Sequence, residues 1–202
     1  LLTNNKSKMT IKALLPILTI SIFATSIFSL LQSGLPLDLI NGSTYREPIG
    51  ETFSGLILSL QLGLILLFQW PIGNWLSTKN IDFGLKLSLI SLSIGCLLIA
   101  LSSRLTHGIL LIIFALFFIA LGLTAFLPTA TEGIIQTSTI SKRGMAMALF
   151  SQCFGLSSIF APIASGKIID IIGDGMFIWL SIGIISIMLI PLTSKVKENL
   201  IT

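Results

Sequence analysis

An all-α membrane protein with six transmembrane helices is the fold class this sequence predicts, and three observations predict it. The composition is 53% hydrophobic and 10% charged, with a mean hydropathy of +1.01, far from the roughly 25% charged residues of soluble domains. A soluble fold would lack the polar surface to cover this much Leu, Ile and Phe, so the excess faces lipid. Six apolar runs are each close to the span of about 20 residues that crosses a hydrocarbon core, and short polar segments separate them. Finally, the cations sort by side. With both termini on one side, that side holds Lys6, Lys8, Lys12, Lys79, Lys86, Lys142, Arg143, Lys195 and Lys197, nine of the twelve Lys and Arg. The other side holds Arg46, Arg104 and Lys167. The positive-inside rule then places both termini in the cytoplasm.

Residues 1–12 read as a basic cytoplasmic linker, 13–194 as the membrane unit and 195–202 as a cytoplasmic tail. The chain opens Leu1-Leu2-Thr3-Asn4 with no charged segment before it, which excludes a secretory signal. It reads as the cut end of a longer protein, with Met9 as the other candidate start.

The first span covers about 13–37. Ser21, Thr25, Ser29, Gln32 and Ser33 recur every three or four residues and so share one helical face. That stripe suits helix-packing glue and a cavity lining equally well. Residues 37–53 form the most polar loop, with Asp38 expected at the outer interface. The second span, 54–73, carries Gln61 and Gln69 eight residues apart. The stretch Phe68-Gln69-Trp70-Pro71-Ile72-Gly73 then leads into Asn74 to Lys79, where Pro-x-Gly is expected to turn the backbone into a short cytoplasmic loop. The third span, 85–103, ends at Arg104, and the lone His107 reads as a solvated loop residue.

Pro128 interrupts the fourth span, 109–131, and Glu132 follows it. A proline inside a membrane helix frees a carbonyl one turn earlier, as happens where backbone lines a cavity. The fifth span, 145–169, places Ser158, Pro162 and Gly166 four apart, a ridge of small residues that lets another helix approach. Lys167 and Asp170 read as a local ion pair. The sixth span covers 176–194. Cys96 and Cys153 sit far apart in apolar runs, as small buried hydrophobes and not as a disulfide or metal site.

The stretch Pro71, Gly73, Leu76, Ser77, Lys79 resembles the signature loop of the major facilitator superfamily. Thr78 stands where the family carries Asp, one residue is inserted at Asn74 or Trp75, and Phe83 and Gly84 replace a pair of arginines, with Lys86 the nearest cation. The resemblance extends through Gly34-Leu35-Pro36-Leu37, Leu127-Pro128 and Gly155 to Gly173, in the order of the second half of a bacterial carrier. It implies half of a major facilitator fold, two inverted three-helix repeats, standing for spans seven to twelve of a twelve-span transporter.

Several further expectations follow from that resemblance. The first and fourth spans face a central cavity, lined by Thr25, Ser29, Gln32, Thr124, Thr131 and Glu132 and flanked by Gln61 and Gln152. The third and sixth spans face lipid. Pro71, Gly73, Ser77, Lys79 and Lys86 form the gating loop. A carboxylate inside hydrocarbon is costly unless protonated or paired, so Glu132 is the candidate for proton coupling; the alternative is an interfacial acid near Lys142 or Arg143. The expected partners are a small-molecule solute, the lipid bilayer, and the N-terminal half of the same carrier in cis or in trans. The expected location is a bacterial inner membrane, and no cofactor, metal or nucleic acid is expected. A rhomboid-type protease is excluded, because neither Gln32-Ser33-Gly34 nor Ala164-Ser165-Gly166 has the leading glycine of its nucleophile motif. A non-transporting assembly factor or sensor of the same fold is the alternative function.

Overall fold

The computed structural model describes residues 11–201, and side chains from 13 to 198. Most of the 1–12 linker therefore lies outside the described residues. Six helices long and apolar enough to cross a membrane run in order: α1 (Ile11–Asn41), α2 (Glu51–Leu76), α3 (Ile81–Ser102), α4 (Gly108–Thr137), α5 (Arg143–Ile172) and α6 (Met176–Ile201). A single 3-10 turn, Ile140–Lys142, links α4 to α5, and there are no strands among the described residues.

α1, α4 and α6 run four to seven residues past their predicted C-terminal ends, and prolines do not break the helices. Pro16, Pro36, Pro71, Pro128, Pro162 and Pro191 all lie inside helices. In water each would be a plausible stop. In hydrocarbon a broken helix strands peptide groups with no water to bond them, so the helix continues through the proline. Pro71 and Gly73 are thus corrected from a turn to the last turns of α2, and the connection to α3 shrinks to Ser77–Asn80. Lys86 lies within α3, as the 85–103 span had it, and not in the connection. The exterior loop of 37–53 likewise contracts to 42–50. At α5 the end is set by a left-handed residue: Gly173 has φ 73° and donates its N–H to Ile169 O at 2.7 Å.

The helices pack in pairs that respect an exchange of α1–α3 with α4–α6. That exchange turns the α1/α5 contact into α4/α2, turns α3/α4 into α6/α1, and maps α3/α6 onto itself; all of these contacts are present. With six alternating spans, α1 and α4 run in opposite directions, as two inverted three-helix repeats require.

The α3/α4 interface is the most extensive and is built on glycine. A Cβ at Gly95 would strike the Ile119 side chain and lie 3.0 Å from the Ala115 carbonyl, and one at Gly122 would lie 2.7 Å from Leu92. Gly84 faces Thr129 just as closely. Glycines from both helices thus alternate as the point of closest approach. This corrects the lipid-facing assignment of the third span. α3 is the most buried of the six, while α2, α5 and α6 are the least.

α1 and α5 are joined by hydroxyls. Thr25 Oγ1 lies 2.8 Å from Ser157 Oγ and 3.3 Å from the Cys153 carbonyl, while Ser157 Oγ donates to Ile22 O at 3.0 Å. The contact ridge on α5 is Ser157, Ala161 and Ser165, one residue ahead of the predicted Ser158, Pro162 and Gly166, which sit away from it. A four-residue spacing fits either row, and only the partner hydroxyls on α1 select between them. Membrane hydrogen bonds of this kind contribute about 0.6 kcal/mol in double-mutant cycles. A cycle of Thr25→Ala and Ser157→Ala should give a coupling of about that size and of stabilising sign, measured by unfolding in mild detergent; zero coupling would remove the glue role.

Candidate functional site

A cleft of about 620 Å³ opens at the end of the bundle that holds the α2–α3 turn. Gly73, Leu76 and Ser77 of α2, Lys79 and Asn80 of the turn, and Ile81 and Asp82 of α3 form one wall. Pro128, Thr129, Glu132 and Gln136 of α4, with Lys197 of α6, form the other. The cleft therefore brings the proposed gating residues Gly73, Ser77 and Lys79 together with Glu132. Pro71 and Lys86 do not line it.

Each polar group in the cleft has a definable state. Glu132 is exposed, five residues before the end of α4, and its Oε1 accepts from Gln136 Nε2 at 2.6 Å. It shares the cleft lining with Lys79 and Lys197, and Lys142 and Arg143 are not part of the lining. Asp82, in the first turn of α3, is bound by Lys86 Nζ at 2.8 Å. An acid there also favours the positive end of the helix. Lys79 Nζ lies 5.8 Å from the centroid of the Trp75 ring, and Trp75 meets Phe83 edge to face.

Ser77 and Thr78 donate to the carbonyls of Asn74 and Trp75 at 2.7 and 2.9 Å. They close the end of α2, so Thr78 supplies a helix stop where the family has a charge. The acid of this corner is Asp82 instead. Sequence reasoning missed Asp82, Gln136 and Lys197. The spacings Asp82 to Lys86 and Glu132 to Gln136, both i,i+4 pairs on a helix face, were the available signal.

The remaining predicted cavity residues divide by burial. Gln32 on α1 and Gln152 on α5 are exposed, and Ser29 and Thr131 are half-buried. Thr25, Thr124 and Gln61 are buried within the six helices. Thr25 is consumed by the α5 contact. Thr124 donates to Ala120 O at 2.8 Å within its own helix. Gln61 is 3% exposed, and neither polar atom of its amide has a partner among the described residues. Lys167 and Asp170 do not pair: the ion pairs found between described side chains at the helix ends are Asp82 with Lys86 and Asp38 with Arg46. No group of three metal-ligating side chains occurs among the described residues.

Cysteines placed at Ser29 and Thr131 should react with a polar maleimide in membranes, whereas one at Leu92, fully buried between α3 and its neighbours, should not. Equal labelling at all three sites would undo the assignment of faces.

The profile of the Major Facilitator Superfamily matches residues 12–198. Neither a curated protein nor a solved structure matches the chain. The six membrane helices, their packing as an exchanged pair of triplets, and a family match over nearly the whole length agree, and the chain belongs to the Major Facilitator Superfamily, a superfamily of integral membrane transporters.

Proposed function

We propose that this chain is the C-terminal six-helix half of a carrier that moves a small solute by alternating access, either by facilitated exchange or coupled to protons. One observation carries the reading. Gln32 and Gln152 stand exposed on two different membrane-length helices, and amide groups facing hydrocarbon are expensive. Groups of that kind call for protein and water in front of them. An N-terminal half, in cis or in trans, supplies both, and the solute then sits between the halves. The basic end, with Lys79, Lys142, Arg143, Lys195 and Lys197, is the cytoplasmic end on the charge rule, and a bacterial inner membrane is the setting. The cleft with Glu132 then opens to the cytoplasm.

Proteoliposomes holding both halves should show solute-dependent counterflow from at least one member of a broad panel of small metabolites. Constant copurification with one large complex, without flux, would instead support an assembly factor or sensor, the reading favoured by Thr78 closing a helix rather than supplying charge. Glu132→Gln should abolish any pH dependence of uptake while the protein stays in the membrane. Uptake that keeps its pH profile would remove the proton role from Glu132 and leave the carrier reading standing.

A further inference from the structure

The end of the bundle opposite the cleft holds a buried charge network that is no part of the cleft lining. Asp38, near the end of α1, and Arg46, in the 42–50 loop, are each 1% exposed. Arg46 Nη2 lies 3.1 Å from Asp38 Oδ2 and also donates to the Asp38 carbonyl at 2.9 Å. Nη1 donates to Ser102 Oγ, at the end of α3, at 2.9 Å. The carboxylate accepts twice more, from the Gly175 N–H in the turn before α6 at 3.2 Å and from the Trp179 indole N–H of α6 at 3.3 Å. A second link runs beside it, from Ser43 Oγ to the Ser103 carbonyl at 2.9 Å.

Asp38 is expected from the sequence at the outer interface. α1 instead runs through Pro36 to Asn41 and carries Asp38 under the loop. There is no room for anything else: a Cβ on Gly175 would collide with the Asp38 carboxylate. Taking two charges out of water is costly, and hydrogen bonding offsets part of that cost. Here one acid is held by donors from the 42–50 loop, the α5–α6 turn and α6, and one guanidinium by acceptors from α1 and α3, with its buried Nε left without a partner among the described residues.

We infer that Asp38 and Arg46 form a buried clamp that locks the ends of α1, α3 and α6 and the 42–50 loop into one rigid block. Any opening of the protein at this end then takes place around the block and not inside it. The inference goes beyond the carrier reading and holds whether or not a solute is carried.

The test asks whether one substitution loosens two distant edges together. The full chain in lipid nanodiscs is treated with trypsin, and cleavage after Arg46 is compared with cleavage after Arg104, which is exposed in the α3–α4 turn. In parallel, Trp179 is the sole indole in a Trp70→Phe/Trp75→Phe background, and acrylamide quenching reports on the start of α6. In the parent, Arg46 should resist and Trp179 should be poorly quenched. Asp38→Asn should speed cleavage at Arg46 by about tenfold or more, because cleavage follows local opening, and should raise quenching of Trp179, with Arg104 unchanged. Should Asp38→Asn not accumulate in the membrane, Ser102→Ala, which removes one acceptor from Arg46, should move both readings in the same direction by less. Cleavage of the parent as fast at Arg46 as at Arg104, or a variant that moves one reading without the other, would overturn the clamp.

Discussion

Arg46→Met is expected to lower stability by about 3–5 kcal/mol, the range for breaking a buried ion pair by removing one partner. Met keeps much of the volume, so the loss is not one of packing. It arises because the Asp38 carboxylate keeps its burial and its donors from Gly175 and Trp179 but loses Arg46, the only cation paired with it among the described residues. Asp38→Leu in addition to Arg46→Met should recover part of the deficit, since two apolar groups of suitable size can replace a buried pair. Recovery stays incomplete, because the Gly175 N–H and the Trp179 indole N–H are then left without an acceptor. Thermal unfolding of the single and double variants in one detergent, followed by loss of monodisperse protein, measures both effects. A single variant as stable as the parent would mean that Asp38 finds another partner or takes up a proton at little cost.

Gly95→Leu should be nearly as damaging, at about 3 kcal/mol, the upper end of the overpacking range. Most oversized substitutions are absorbed by a side chain that swings aside. At Gly95 one neighbour is the Ala115 carbonyl, which is main chain in the middle of α4, and the other is the buried Ile119. The helices must separate, and the companion contact of Gly122 on Leu92 opens with them. Gly63→Leu is the internal control. Gly63 lies on exposed α2 with nothing within 4 Å of an added Cβ, so the same change there should be neutral. Equal stability of the two variants would show that α3 and α4 are not held by close approach.

The six spans were readable because length and hydropathy alone decide them. Their ends were not. Pro71 with Gly73 carries a turn signal calibrated on chains in water, and Ser77 and Thr78 provided the real end of α2 with nothing more distinctive than two hydroxyls bonding back to it. At the cleft, Glu132, Ser77 and Lys79 were found from residue type and order. Their meeting place with Lys197 was not, because that contact joins α2, α4 and α6 across more than a hundred residues. The hydroxyl stripe of α1 was legible as a stripe, yet its role depended on which helix lay against it. Thr25 meets α5, while Gln32 on the same helix meets nothing among the described residues and is exposed.

That same α1 stripe bears on how the chain matures. α3 and α4 are consecutive and can pair as soon as both have left the ribosome, whereas Thr25 and its partner Ser157 are 132 residues apart. At about 5–20 residues per second, α1 waits several seconds in lipid before α5 exists. Ser21, Thr25 and Ser26 each also bond a carbonyl one turn back in their own helix, at 2.7 Å. The newborn segment is therefore self-sufficient while it waits, and its hydroxyls give the late-arriving helix a docking strip that needs no prior exposure of bare polar groups to the acyl chains.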